Sequence, residues 1–413
     1  MHITIHRGSN EIGGTCIQLS TQNSTLLLDA GLPLSQTSRH LDISSIQPDA
    51  VLISHPHQDH YGLIDQIDPS IPIYLGEIAK GLIEVPRIFL GRDQFVNDFH
   101  YLRPWSPVTI GDFTVTPYLV DHSSPEAYAF LIESNQGRRV FYSGDFRTHG
   151  RKAVLLERLM KEPPAKIDAL FLEGTMLERS NDRFPDESAV ENQIFETIRQ
   201  QSNIAFLLTS SQNIDRIVSA YRACLRSGKV LVIDFYTAWV LEQVRKAASG
   251  VPAMDWSTVR VYAHYRQDKT LKENKDFFGD FRKRAYHNRI TKEQLEANPS
   301  QYLYISKMSQ YRVMERYKQF GPINLIYSQW LGYLVYTDEQ YYGAEAIAHY
   351  PYDQQVNFVY AHTSGHAPLN DLIRFAAAIK PKKLIPIHTE HSELFSDHFE
   401  NVVRLSDGSP LSI

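Results

Sequence analysis

Four metal-binding side chains fall within six consecutive residues, His55-Pro56-His57-Gln58-Asp59-His60. In an extended backbone, side chains two apart point to the same side, so His55 and His57 can grip one ion as the chain leaves Ser54. Asp59 and His60, on a turn just beyond, can face a second ion. Histidine nitrogen and carboxylate oxygen are ligands that suit zinc. Four ligands do not complete a cage for two ions, so the fold must bring others from far along the chain. Three follow apolar runs that read as strands: His122 after Tyr118-Leu119-Val120, Asp145 in Tyr142-Ser143-Gly144-Asp145, and His388 after Leu384-Ile385-Pro386-Ile387. A His-rich surface loop is the competing reading. The Asp-His pair and the strand-end residues weigh against it.

The other expectations follow from composition and texture. A chain of 413 residues is longer than one core usually serves, which predicts two domains or one with a large insert. With 43% hydrophobic and 22% charged residues it reads as a globular protein. No secretory signal and no membrane span is expected from its start or its apolar runs. Cys16 and Cys224 are its two cysteines, too few for a disulfide framework or a thiolate zinc site, so any metal rests on His and carboxylates, in a reducing cytoplasm. The formal charge of -5 excludes a surface that attracts nucleic acid everywhere, but not local basic clusters. Up to Glu173, short strand-like runs dominate and predict stacked sheets. After it strands and helices alternate (Ile204 to Leu208, Ile214 to Leu225, Val230 to Phe235), which predicts a parallel sheet covered by helices. The charged stretch Arg266 to Lys292 reads as a solvated helix face, with phosphate contact as the alternative.

The order Asp29, His55/His57/Asp59/His60, His122 and Asp145 resembles the metallo-β-lactamase superfamily. By that resemblance one metal takes His55, His57 and His122, a second takes Asp59, His60 and His388, and Asp145 bridges them. Asp29, in Leu27-Leu28-Asp29-Ala30-Gly31, would orient the ligand loop without binding metal, a turn Asp before Gly31 being the rival reading. Two Zn2+ per chain are expected, with Mn2+ as the alternative ion.

The segments beyond Asp145 are similar to the β-CASP nucleases, whose extra motifs are an acidic residue before an inserted domain and a His, then a His or Val, after it. Glu173 in Leu172-Glu173-Gly174-Thr175, His366 in Ser364-Gly365-His366-Ala367, and His388 in Ile387-His388-Thr389 match them. RNA enzymes of that family usually carry His at the last position and DNA enzymes Val, so His388 favours RNA. The Ser364 to Ala367 segment and the opening Arg7-Gly8-Ser9-Asn10-Glu11-Ile12-Gly13-Gly14 look most like ribonuclease J and its bacterial relatives. There are two departures. No counterpart of the C-terminal domain of full-length ribonuclease J is expected, and Ile305 to Gln310 is expected to stand where its glycine-rich phosphate loop would be.

The resemblance implies an α/β fold: an αββα metallo-β-lactamase sandwich over 1–175 and 356–413, with an inserted β-CASP domain, a Rossmann-like parallel sheet, over 176–355. It implies a zinc-dependent ribonuclease, endonuclease or 5′-exonuclease or both, that leaves 5′-phosphate products. Asp59, Glu173 and His366 are the expected catalytic residues, with His366 protonating the departing ribose oxygen and Glu173 holding His366. A buried structural histidine is the rival reading of His366. His362 and Ser364 are candidate contacts to a substrate phosphate, with a structural turn as the alternative. The expected partners are single-stranded RNA and a second copy of the chain, joined without the ribonuclease J C-terminal domain, and no membrane. Three rival functions stand beside this one. A DNA nuclease of the same family is disfavoured by His388 alone, a small-molecule hydrolase of the same fold needs no insert, and a non-catalytic RNA-binding scaffold typically loses ligands that are all present here.

Overall fold

The computed structural model describes residues 1–34, 41–180, 182–335 and 343–413. It divides into two compact units, one of Met1–Glu84, Asp93–Asn181 and Gly365–Ile413, the other of Val85–Arg92 and Asp182–Ser364.

The first unit holds two sheets. One runs, in spatial order, Pro410–Ser412, His2–Arg7, Cys16–Ser20, Thr25–Leu28, Ala50–Leu52, Ile73–Leu75, Phe99–Tyr101; the other runs Leu384–Ile387, Ala169–Glu173, Arg139–Tyr142, Tyr128–Ser134, Phe113–Leu119, Val108–Ile110. Alternation along His2–Arg7 buries Ile3 and Ile5 on the inner face. There, with Leu19, Leu26 and Leu52, they meet Val115, Phe130, Val140, Phe171 and Ile385 of the second sheet. Strand Ala169–Glu173 is buried along its whole length because its other face is covered too, with Leu170 and Leu172 packing with Leu156, Leu159, Leu372 and Phe375 of helices Val154–Lys161 and Leu369–Ile379. On the far side of the first sheet, Val51 and Ile53 pack with Ile64, Ala79 and Ile83. The layers are therefore αββα.

Strand direction decides where chemistry gathers. Arg139–Tyr142, Ala169–Glu173 and Leu384–Ile387 are mutually parallel, with Tyr142 opposite Phe171 and Glu173 opposite Ile387. Phe113–Leu119 is antiparallel to Tyr128–Ser134, which is antiparallel to Arg139–Tyr142, so it shares their direction. His122, Asp145, Glu173 and His388 thus leave the sheet at the same end. In the first sheet Thr25–Leu28 and Ala50–Leu52 are parallel as well, and deliver Asp29 and Ser54-His55.

The second unit is a seven-stranded sheet in the order Arg289–Ile290, Val259–Tyr262, Val230–Asp234, Tyr302–Ser306, Ala205–Leu208, Ile323–Tyr327, Val356–Tyr360, and every pairing is parallel. Its central strands are near-continuous apolar runs because helices cover both faces. Strand Val356–Tyr360 pairs in parallel with Ile323–Tyr327 and lies in this sheet. The charged stretch forms helices Tyr265–Glu273, Lys275–Phe278 and Phe281–His287, with Arg282 paired to Asp268 and Arg284 to Glu242 and Asp280, as expected of a solvated, ion-paired face.

Candidate metal centre

After strand Ala50–Leu52 the chain stays extended through His57 and then turns into the short helix Gln58–Tyr61, which carries Asp59 and His60. Gly31 lets this loop close down: a Cβ there would lie 1.7 Å from the Asp59 carbonyl oxygen.

Two groups of donors result. In the first, His55 Nε2 lies 3.0 Å and His122 Nε2 3.2 Å from His57 Nδ1. Four ligands around zinc at its usual Zn–N distance stand about 3.3 Å apart, so these spacings fit one ion. Burial above all, then the neighbouring imidazoles, pushes His55 and His122 well down; burial likewise takes His57 down to about 4. All three are therefore neutral at pH 7, as ligands must be. In the second group His388 Nε2 is 3.3 Å from Asp59 Oδ2, and His60 Nε2 is 3.1 Å from Asp145 Oδ2. That same Asp145 oxygen lies 3.7 Å from His55 Nε2 of the first group. Burial opposes ionisation of both acids, yet His60 and His388 bring Asp59 down to about 2, and His388, His60 and His366 hold Asp145 well below the usual range. Burial is likewise overcome at His60, which Asp145, Asp29 and Asp59 push well up. Three carboxylates around one buried imidazole leave an excess of negative charge that a cation would neutralise. The donor set fits a metal site.

The rings of His60, His122 and His388 are each held from behind. Asp29, fully buried with φ of 58°, accepts from His60 Nδ1 (2.7 Å), the Ser54 amide (2.7 Å), the Ser54 hydroxyl (2.8 Å) and the Tyr142 hydroxyl. His122 Nδ1 donates to the Gly365 carbonyl at 2.6 Å, which leaves Nε2 facing the group. His388 adopts φ of 49° with its amide donating to the Gly8 carbonyl, and its Nδ1 meets the Thr175 hydroxyl at 2.9 Å. Next to Asp145, His366 Nδ1 bonds Glu173 Oε2 at 3.0 Å, and Glu173 also accepts from the amides of Phe146 and Thr175. Burial works against a charged His366, but Glu173 and then Asp145 carry it up to about 9.

The residues singled out from sequence, Asp29, His55, His57, Asp59, His60, His122, Asp145, Glu173, His366 and His388, thus come together in the first unit. His362 and Ser364 belong to the second unit. Thr175, Ser54, Tyr142 and the Gly365 carbonyl were not foreseen, since hydroxyls and carbonyls carry no motif of their own. A Thr two residues beyond Glu173, at the same sheet end as His388, was the one available cue.

Among the described residues no helix is long and apolar enough to cross a membrane. Residues 24–200 match the beta-lactamase superfamily domain, and residues 356–402 match the Zn-dependent metallo-hydrolase RNA specificity domain. The chain is 21% identical to a ribonuclease J of Helicobacter pylori, over 95% of this chain and 56% of that protein. It is 25% identical to a probable RNase of Methanocaldococcus jannaschii, over 48% of this chain and 50% of that one. It therefore spans about half the length of the curated relatives it matches. A crystal structure of an Enterococcus faecalis protein of unknown function shares the fold, with a TM-score of 0.76, 99% of both chains covered and 19% identity. With its two groups of candidate metal ligands, its αββα sandwich and its parallel-sheet second unit, the chain carries a metallo-β-lactamase superfamily domain and an RNA specificity domain, and is consistent with the β-CASP family related to ribonuclease J.

Proposed function

We propose that this protein is a two-zinc ribonuclease that cleaves RNA phosphodiester bonds to leave 5′ phosphates. The observation that carries the reading is the sharing of Asp145 Oδ2 between two donor groups, with a histidine-carboxylate pair alongside. His55, His57 and His122 would hold one ion, Asp59, His60 and His388 the other, with Asp145 between them. When bound, zinc supplies Lewis acidity toward water and phosphoryl oxygens. The chain's own residues do the rest. Asp59 and Asp145 present their oxygens from a buried, hydrogen-bonded frame. Glu173 fixes His366 through Nδ1, so the proton on Nε2 is the one available, and His366 retains it at neutral pH because of that carboxylate. A charged donor there can protonate the departing ribose 3′ oxygen. His362 and Ser364 are assigned to contact with a substrate phosphate.

The RNA specificity domain over 356–402 and the ribonucleases among the relatives support RNA over DNA. Purified protein should carry about two zinc ions per chain and degrade single-stranded RNA. RNA and DNA labelled at either end, with 5′ phosphate or 5′ hydroxyl, separate endonuclease from exonuclease by the product ladder. Metal-free protein after mild purification, or cleavage of DNA alone, would overturn the proposal.

A further inference from the structure

In the second unit Arg216 is fully buried and lies outside every motif read from the sequence. It projects from helix Ile214–Ser227. Its Nε and Nη2 each donate to one oxygen of Glu187, both at 3.2 Å, and Glu187 is held in turn by the Ser219 hydroxyl at 3.1 Å. The remaining donors face the carboxyl ends of two adjacent parallel strands. Nη1 donates to the Ser328 carbonyl at 3.0 Å and to its hydroxyl, and reaches the Ala361 carbonyl at 3.4 Å. Nη2 donates to the Thr363 carbonyl at 3.3 Å. Between those two carbonyls, Nη1 lies 3.4 Å from His362 Nδ1. Only a planar fork reaches so many acceptors, and a guanidinium has no lone pair to offer.

We infer that Arg216 is a positioning residue that locks the Ala361–Thr363 loop and fixes His362 as an Nε2–H donor. A guanidinium beside Nδ1 can only donate, so Nδ1 must accept and the ring proton must sit on Nε2. His362 then carries its ring proton on Nε2, the kind of donor a phosphate oxygen accepts from, on a loop whose Ala361 and Thr363 carbonyls are both held by Arg216. Its phosphate partner rests on the nuclease reading above; the lock and the tautomer do not.

The test uses two variants of the full chain. Arg216→Met with Glu187→Gln removes the pair as a unit, since taking Arg216 alone would strand a buried carboxylate. Arg216→Lys keeps a charge on Glu187 but loses the fork, and carries the same test if the double variant does not fold. Long-range 1H–15N spectra of histidine-labelled protein, with the His362 signal assigned through His362→Gln, should show the Nε2–H form in the parent and a mixture in both variants. With single-stranded RNA, KM should rise roughly tenfold, the loss expected for one oriented hydrogen bond to a charged group, while kcat changes less. An unchanged tautomer overturns the inference; an altered tautomer with unchanged KM upholds Arg216 as the lock and overturns the phosphate contact of His362. Parent protein that cuts no RNA counts against the nuclease reading, and the spectra then decide Arg216 alone.

Discussion

At the scale of single residues, the second nitrogens of His60, His122, His366 and His388 are each hydrogen-bonded outside the donor groups. Asp29 shows how much rests on one such partner, because it accepts from four donors on three residues. Asp29→Asn keeps the shape, and Asn tolerates the left-handed backbone, but one carboxylate oxygen becomes a donor facing donors. Metal affinity should fall about 10- to 100-fold in a calorimetric titration. Affinity at the parental level would remove Asp29 from its orienting role. Glu173 and His366 predict a different pattern: Glu173→Gln and His366→Ala should slow RNA cleavage by about 10²- to 10⁴-fold. Zinc content should stay at the parental value, because neither residue is assigned as a ligand. Full-rate cleavage by either variant would remove the proton-donor role, and loss of zinc would reassign the pair to the metal site.

Secondary elements set the reach of these side chains, and those of the second unit are stabilised by interactions of their own. Helix Tyr265–Glu273 is tied to helix Phe281–His287 through Asp268, which accepts from Arg282 at 2.7 Å and pairs with Lys272. Burial opposes the ionised form of Asp268, yet the bonds from Arg282 and Lys272 bring it down to about 2. An acid depressed in the folded state contributes stability above its unfolded value, near 3.9, and the contribution is lost as pH falls toward about 2. Asp268→Asn should therefore lower the urea midpoint at pH 7, and the gap to the parent should narrow between pH 4 and pH 2. A gap that stays constant over that window would show that the carboxylate charge contributes nothing there. The same scale explains the strand Val356–Tyr360. Its membership of the second sheet comes from five register pairs with Ile323–Tyr327, partners more than thirty residues earlier.

At the scale of the whole molecule, the proposed metal binding would be linked to folding in the first unit, where the donors reside. Ions bound to the folded form alone stabilise it by mass action. Stripping metal with a chelator should raise hydrogen exchange at the amides of residues 53–60, 120–123, 144–146 and 386–389. The buried strand Ala205–Leu208 of the second unit should keep its rate. Equal exchange with and without chelator would mean that the donor groups do not hold metal in solution.

The residue types of the cage and their order along the chain were legible without coordinates, because His55 to His60 form one short segment and His122, Asp145 and His388 each stand where an apolar run stops. The change of texture after Glu173 announced a parallel sheet for the same local reason, since strand and helix periodicities are written in neighbouring residues. Tertiary structure alone decided how those ends converge. Glu173 and His388 meet because Ala169–Glu173 and Leu384–Ile387 pair in parallel across an interval of more than two hundred residues, a register that no local pattern encodes. It also decided which neutral groups orient the rings, such as Thr175 and the Gly365 carbonyl, and that Arg216 grips the His362 loop. Hydroxyls, carbonyls and a buried arginine acquire those roles from their surroundings, which exist only once the chain has folded.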